Sequence, residues 1–269
     1  MQKSTKQTAA RGNPCRRRTA ATPRVTCRKA GRPPATRIRG GRRSRPSPFL
    51  VLRSSALTAS RVQLRPPTPA RIVVLVSGAG TLLNSLAEAS RAADYPAQIV
   101  AVGADRDCGA LANAADAGIA CFAVSVRDHA DRSAWDVALT EAVAAHEPDL
   151  VVSAGFMKIL GPAFLERFGG RIINTHPALL PAFPGSHAVA DALAYGVKVS
   201  GSTVHLVDSG IDTGAVLAQE AVPVLADDDE ATLHERIKVV ERRLLAEVIA
   251  AVATRGVVSD GRKAVIPSE

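Results

Sequence analysis

Acidic residues are absent from the first 70 positions, although those positions hold 18 of the 34 Lys and Arg and nine of the 17 prolines. The other 199 residues therefore carry 16 basic and 25 acidic side chains, a net charge of −9. The overall pI of 9.9 belongs to the leader, so it gives no reason to expect a nucleic-acid-binding face on the folded part. Aromatics are scarce at 3%, which removes the stacking platforms that single-stranded nucleic acids need. Cysteine is also sparse. Cys15 and Cys27 lie in the leader, and Cys108 and Cys121 are spaced unlike a metal knuckle, which excludes a disulfide framework and a zinc site. No apolar run approaches the ~20 residues that span a bilayer, and Phe49-Leu50-Val51-Leu52 is too short for a signal-peptide core. The expected location is cytoplasmic, with no membrane partner.

Runs such as Arg16-Arg17-Arg18 and Gly40-Gly41-Arg42-Arg43 give residues 1–70 little apolar surface to offset their ordering entropy. A basic RNA-binding arm and a transit peptide are both conceivable for such a segment, but the prolines oppose the amphipathic helix of a transit peptide. The expectation is a disordered basic leader, or a start assigned too far upstream, with function beginning near Arg71. A catalytic domain over 71–256 and a tail over 257–269 complete the expected layout.

From Arg71 onward, strand and helix patterns alternate. Ile72-Val73-Val74-Leu75-Val76 reads as a strand covered on both faces. Leu82, Leu83, Leu86 and Ala89 follow at helical spacing. Further strands are expected at 98–102, 118–124, 149–153 and 171–174, and helices at 109–117, 131–146 and 229–252. Residues 202–207 and 215–220 flank a turn like an antiparallel pair. The fold class is α/β: a mostly parallel, Rossmann-like sheet with helices on both faces and antiparallel C-terminal strands.

Ser77-Gly78-Ala79-Gly80-Thr81 follows a strand and opens a helix, so its free backbone N–H groups and the helix dipole favour a phosphate. Position 83 is Leu where a dinucleotide fingerprint has its third glycine, and the Walker lysine is absent. A monophosphate ester fits better. Farther on, Asn174-Thr175-His176-Pro177 runs into Ala178-Leu179-Leu180-Pro181, and Asp212 lies 36 positions beyond His176 in a glycine-rich turn. Asn174 is expected at the carboxyl end of its strand, where open α/β sheets bind ligands, with His176 projecting from the same edge. An amide, an imidazole and a carboxylate can supply an oxyanion donor, a proton carrier and a group that tunes it. His205 reads as a buried, satisfied strand residue near the site. Asp208 reads as a turn residue.

On these motifs, together with Ala154-Gly155-Phe156-Met157-Lys158-Ile159-Leu160, residues 71–253 resemble the phosphoribosylglycinamide formyltransferase family. The resemblance implies transfer of the formyl group of 10-formyltetrahydrofolate to the amine of 5'-phosphoribosylglycinamide (GAR) in purine biosynthesis, without a metal. It implies catalytic roles for Asn174, His176 and Asp212, and substrate phosphate at Gly80, Thr81 and Leu82. Glu241 would meet the glycinamide end. Folate contacts would fall on Arg132, on Met157, Lys158, Ile159 and Leu160, and on Asp208, Ser209, Gly210 and Ile211. Ala79 and Thr81-Leu82 replace an Asn or a Ser-Asn pair of many relatives, and Val189 replaces a histidine of some. The partners are small molecules, and a homodimer is left open. Two alternatives stand beside this reading: a formyltetrahydrofolate deformylase, and an RNA-binding protein acting through the leader.

Overall fold

A computed structural model of the chain describes residues 62–268. In chain order the elements are β1 (Val62–Leu64), β2 (Ala70–Val76), α1 (Thr81–Ala89), β3 (Ala97–Ala104), α2 (Gly109–Asp116), β4 (Ala120–Ala123), α3 (Arg132–Ala144) and β5 (Leu150–Ser153). There follow α4 (Pro162–Phe168), β6 (Ile172–His176), α5 (Ala188–Tyr195), β7 (Val199–Leu206), β8 (Val216–Pro223), α6 (Glu230–Arg255), β9 (Val257–Ser259) and β10 (Ala264–Val265).

Seven strands form one sheet in the order β4-β3-β2-β5-β6-β7-β8. The five from β4 to β6 run parallel, and β7 and β8 are antiparallel to their neighbours. The central strand β2 shows why the sheet is covered twice. Ile72, Val74 and Val76 enter a core with α1, α2 and α6, while Val73 and Leu75 enter another with α3 and α4. Successive strand residues point to opposite faces, so an unbroken apolar run demands helices on both. A third cluster seats Val189 of α5 and Val222 of β8 on Leu233 and Ile237 of α6. Each such large side chain contributes about 1.5–3 kcal/mol by leaving water.

The expected strands and helices are present, with two helices added. The start of α4 draws its cap from Asp136 of α3, whose carboxylate accepts the N–H groups of Gly161, Ala163 and Phe164 at 2.8, 2.8 and 3.4 Å. A side chain on Gly161 would collide with that carboxylate. Two expected boundaries move. Val62–Leu64, assigned to the leader, pair antiparallel with Val257–Ser259, assigned to the tail, and Ala264–Val265 join as a third strand. Strands of two or three residues carry no readable period, and β1 and β9 lie almost 200 positions apart. The expectations for residues 1–61, including the RNA-binding alternative, lie outside the described residues.

Candidate active site

β6 runs two residues farther than the sequence reading put it. Asn174 therefore sits inside the strand, opposite Ser153 of β5 and His205 of β7, and not at its end. Pairing with antiparallel β7 extends the ladder through His176, which lies opposite Thr203. Period two still places Asn174 and His176 on one face and Thr175 on the other. All three line one cavity of about 530 Å³ over the carboxyl edge of the parallel strands.

His176 is 4% exposed and is held on both sides. Its Nε2 lies 2.8 Å from the Phe183 carbonyl, and its Nδ1 lies 3.3 Å from Asp212 Oδ2. Both neighbours are acceptors, so the geometry suits a ring carrying hydrogen on each nitrogen. Asp212 Oδ2 also accepts the N–H of Gly185 at 2.8 Å. Phe183 and Asp212 both have φ of 53°, a left-handed backbone that is strained for residues with a Cβ. The two strained positions thus sit on opposite sides of the imidazole that they contact.

His205 is buried beside this group. Its Nδ1 is 2.8 Å from its neighbour's carbonyl at Leu206, its Nε2 is 3.2 Å from Asn174 Nδ2, and Asp212 Oδ1 lies 3.7 Å away. The Leu206 carbonyl can only accept, so Nδ1 carries the proton. In the neutral ring Nε2 is then an acceptor for the Asn174 amide. Burial lowers the pKa of His205, outweighing the pull of Leu206 and Asp212 in the other direction.

Across the cavity, α1 begins at Gly80 with no side-chain cap, which leaves its first-turn N–H groups free for an anion. Gly80 has φ of 76°, and a Cβ there would come within 2.6 Å of the Ala110 side chain. Gly80, Thr81 and Leu82 line the same cavity as His176. Glu241 on α6 lines it too. The Thr175 hydroxyl donates to its carboxylate, and burial raises its pKa.

Met157, Lys158, Ile159 and Leu160, with Asp208, Gly210 and Ile211, form the other side of the cavity. Met157, Ile159 and Ile211 are 62%, 64% and 57% exposed, an uncovered apolar surface beside the polar cluster. Arg132 and Ser209 are outside the lining. The Arg132 guanidinium donates to the Ile159 carbonyl at 2.6 Å and stacks on Trp135, so it braces the loop from behind. Asp208 closes its own turn by accepting from Gly210 N–H and the Thr213 hydroxyl.

Sequence reasoning missed His234 and Lys238, which line the cavity from α6 together with Glu241. Their spacing of four and three positions is one helix face and is readable once Glu241 is placed. Among the described residues no group of three or more His, Cys, Asp or Glu is placed to hold a metal ion, and no helix is long and apolar enough to cross a membrane.

Comparison with known proteins matches residues 70–249 to the formyl transferase family. The chain is 66% identical over 203 residues to a phosphoribosylglycinamide formyltransferase of Mycobacterium tuberculosis, covering 76% of this chain and 94% of that one. The crystal structure of glycinamide ribonucleotide transformylase 1 from Symbiobacterium toebii is similar with a TM-score of 0.71 at 40% identity, over 72% of this chain and 92% of that one. A formyltetrahydrofolate deformylase structure from Pseudomonas syringae pv. tomato is similar with a TM-score of 0.68 at 25% identity, over 74% of this chain and 66% of that one. By sequence and by architecture alike, the chain belongs to the formyl transferase family and, within it, to the phosphoribosylglycinamide formyltransferases.

Proposed function

We propose that the protein transfers the formyl group of 10-formyltetrahydrofolate to the amine of GAR, giving formyl-GAR and tetrahydrofolate in purine biosynthesis. The observation that carries this reading is the convergence of Asn174, His176 and Asp212 in one cavity with the uncapped start of α1. The phosphate of the ribonucleotide takes the free N–H groups at Gly80 to Leu82. Glu241 meets the glycinamide end from α6. The pterin side of the donor lies against Met157, Lys158, Ile159 and Leu160 and the turn from Asp208 to Ile211, with Arg132 and Ser209 supporting from outside the lining. A cytoplasmic location and small, freely diffusing substrates belong to the same reading.

In the reaction, the neutral amine nitrogen attacks the formyl carbon, and negative charge grows on the formyl oxygen. The amide of Asn174 donates to that oxygen. His176 joins it by exchanging the Phe183 carbonyl for the formyl oxygen at Nε2, while Asp212 keeps hold of Nδ1. Donors of this kind are worth about 3–4 kcal/mol each. As the intermediate collapses, the bond between N10 and the formyl carbon breaks. The proton lost by the amine passes through water ordered at Asp212 to N10. Holding both reactants in line lowers the barrier by further kcal/mol.

Release of the deformylated donor, followed with and without GAR, tests the reading. Release that requires the amine supports the transferase, and equal release with water alone would identify a deformylase, the activity that the more distant structural neighbour's name carries. His176→Ala and Asp212→Asn are each expected to lower kcat by about 100-fold or more, with the KM for GAR moving far less. Wild-type turnover in His176→Ala would end the assignment of that residue.

A further inference from the structure

Asp105 follows the last residue of β3 and is only 4% exposed, although no part of the proposed chemistry uses it. Burial alone would push its carboxyl up, yet the Arg106, Ser77 and Lys158 side chains beside it hold it down at about 2. Its Oδ2 lies 2.7 Å from Arg106 Nη2 and 3.1 Å from Lys158 Nζ. Of these residues only Lys158 lines the cavity; Asp105, Ser77 and Arg106 sit behind it.

The loop that carries Lys158 is fastened at consecutive points. Met157 N–H donates to Ser77 Oγ at 2.8 Å. Lys158 is tied through its ammonium to Asp105. Ile159 C=O accepts from Arg132 at 2.6 Å, and Gly161 N–H donates to Asp136 at 2.8 Å. Between these ties the side chains of Met157 and Ile159 stand in solvent. Exposed apolar side chains gain nothing by facing water, so a loop that holds them there is held against its own preference. Ser77 and Asp105 lie at the ends of the adjacent strands β2 and β3. Together they anchor two neighbouring loop residues to the most deeply buried part of the sheet.

We infer that Asp105 is a positioning residue for the formyl donor: by tying Lys158 to the sheet, next to the Met157 N–H that Ser77 holds, it keeps the loop in its donor-binding shape. A carboxylate that acts this way touches no reacting atom. Its removal lets Lys158 swing free and leaves the loop with fewer ties, so the energy of ordering it is charged to donor binding. In the reading given above, GAR is held at α1 and α6 and not by this loop, so the GAR KM serves as the internal control. The inference rests on the transferase reading given above.

Steady-state kinetics of the full chain, with 10-formyltetrahydrofolate and GAR varied separately, provide the test. Asp105→Ala is expected to raise the donor KM about ten-fold, the loss of one charged hydrogen bond, with the GAR KM unchanged. Asp105→Asn keeps the shape and an acceptor oxygen but not the charge, and is expected to rescue only part of the loss, leaving the donor KM about three- to five-fold above wild type. It also carries the test if the alanine variant does not fold. Because the effect runs through Lys158, the double variant with Lys158→Met should be no worse than the worse single variant. A donor KM within about two-fold of wild type in folded variants, parallel rises in both KM values, or multiplying effects in the double variant would each overturn the inference. Wild-type protein that transfers no formyl group to GAR would instead overturn the functional reading, and it is assayed first.

Discussion

The carboxylates of Asp212 and Glu241 sit in one cavity under opposite constraints. Asp212 is held by the Gly185 N–H and faces an imidazole that can carry charge. Glu241 is buried, and among the described residues its carboxylate accepts a hydrogen bond only from the Thr175 hydroxyl. Its raised pKa means that the fold disfavours its charged form. The contribution to stability is full below the ordinary value of 4.5 and is lost as pH rises through the folded value. Glu241→Gln removes the buried charge and keeps the shape. Thermal melts at pH 7.5 should show a higher Tm than wild type, by about 2–4 °C for each kcal/mol relieved, while the KM for GAR rises. At pH 4 the gain in Tm should vanish. Such a trade marks a group kept for binding at the expense of stability. That Asn174, His176 and Asp212 share one cavity was legible in the sequence from the short Asn-Thr-His-Pro spacing and the glycine-rich turn that carries Asp212. Thr175 was not, since its partner Glu241 lies 66 positions away across the sheet edge.

Among the elements, α4 is the one whose existence depends most on a distant residue. It has seven residues with Pro162 at its start and no cap of its own, and Asp136 supplies the acceptors from α3. A local cap leaves a mark in the sequence, as Asp229 and Thr232 do for α6 with their reciprocal capping box. A cap that arrives 25 positions earlier on another helix leaves none. The short, alanine-rich α5 was unreadable for a related reason, because only Val189 gives it an apolar anchor of any size in its first turn. Asp136→Ala should strand the N–H groups of Gly161, Ala163 and Phe164 and cost about 2–3 kcal/mol, or roughly 4–12 °C in Tm for a domain of this size. Urea melts would check it. Because α4 follows the loop at 155–160, the donor KM should rise as well.

On the scale of the whole molecule, acid stability is divided between two kinds of group. His205 and His234 both have pKa values lowered below 6.5, chiefly by burial. The unfolded chain therefore binds protons that the folded chain refuses, and stability present above pH 6.5 is lost as pH falls toward the folded values. Asp105 and Asp228 lie at about 2 against an ordinary 3.8, so their contribution survives to lower pH and disappears between those limits. Acid unfolding should show two limbs, the first starting below about pH 6.5. His234→Gln should shrink the first limb only, and the measurement is cleanest in a Glu241→Gln background, where the opposing carboxylate is gone. The parallel half of the sheet was legible from its unbroken apolar strands. The closing three-stranded sheet was not, because its strands are shorter than any period and β1 pairs with β9 across the length of the domain.

That small sheet bears on how the protein is trimmed. The change in composition near Arg71 invites a cut there, yet such a cut removes β1 and strips the outer partner from β9. Val257–Ser259 would then present bare N–H and C=O groups along one side, a template on which other copies can add strands and precipitate. A version shortened to just ahead of Val62 discards the same basic leader while keeping that edge covered.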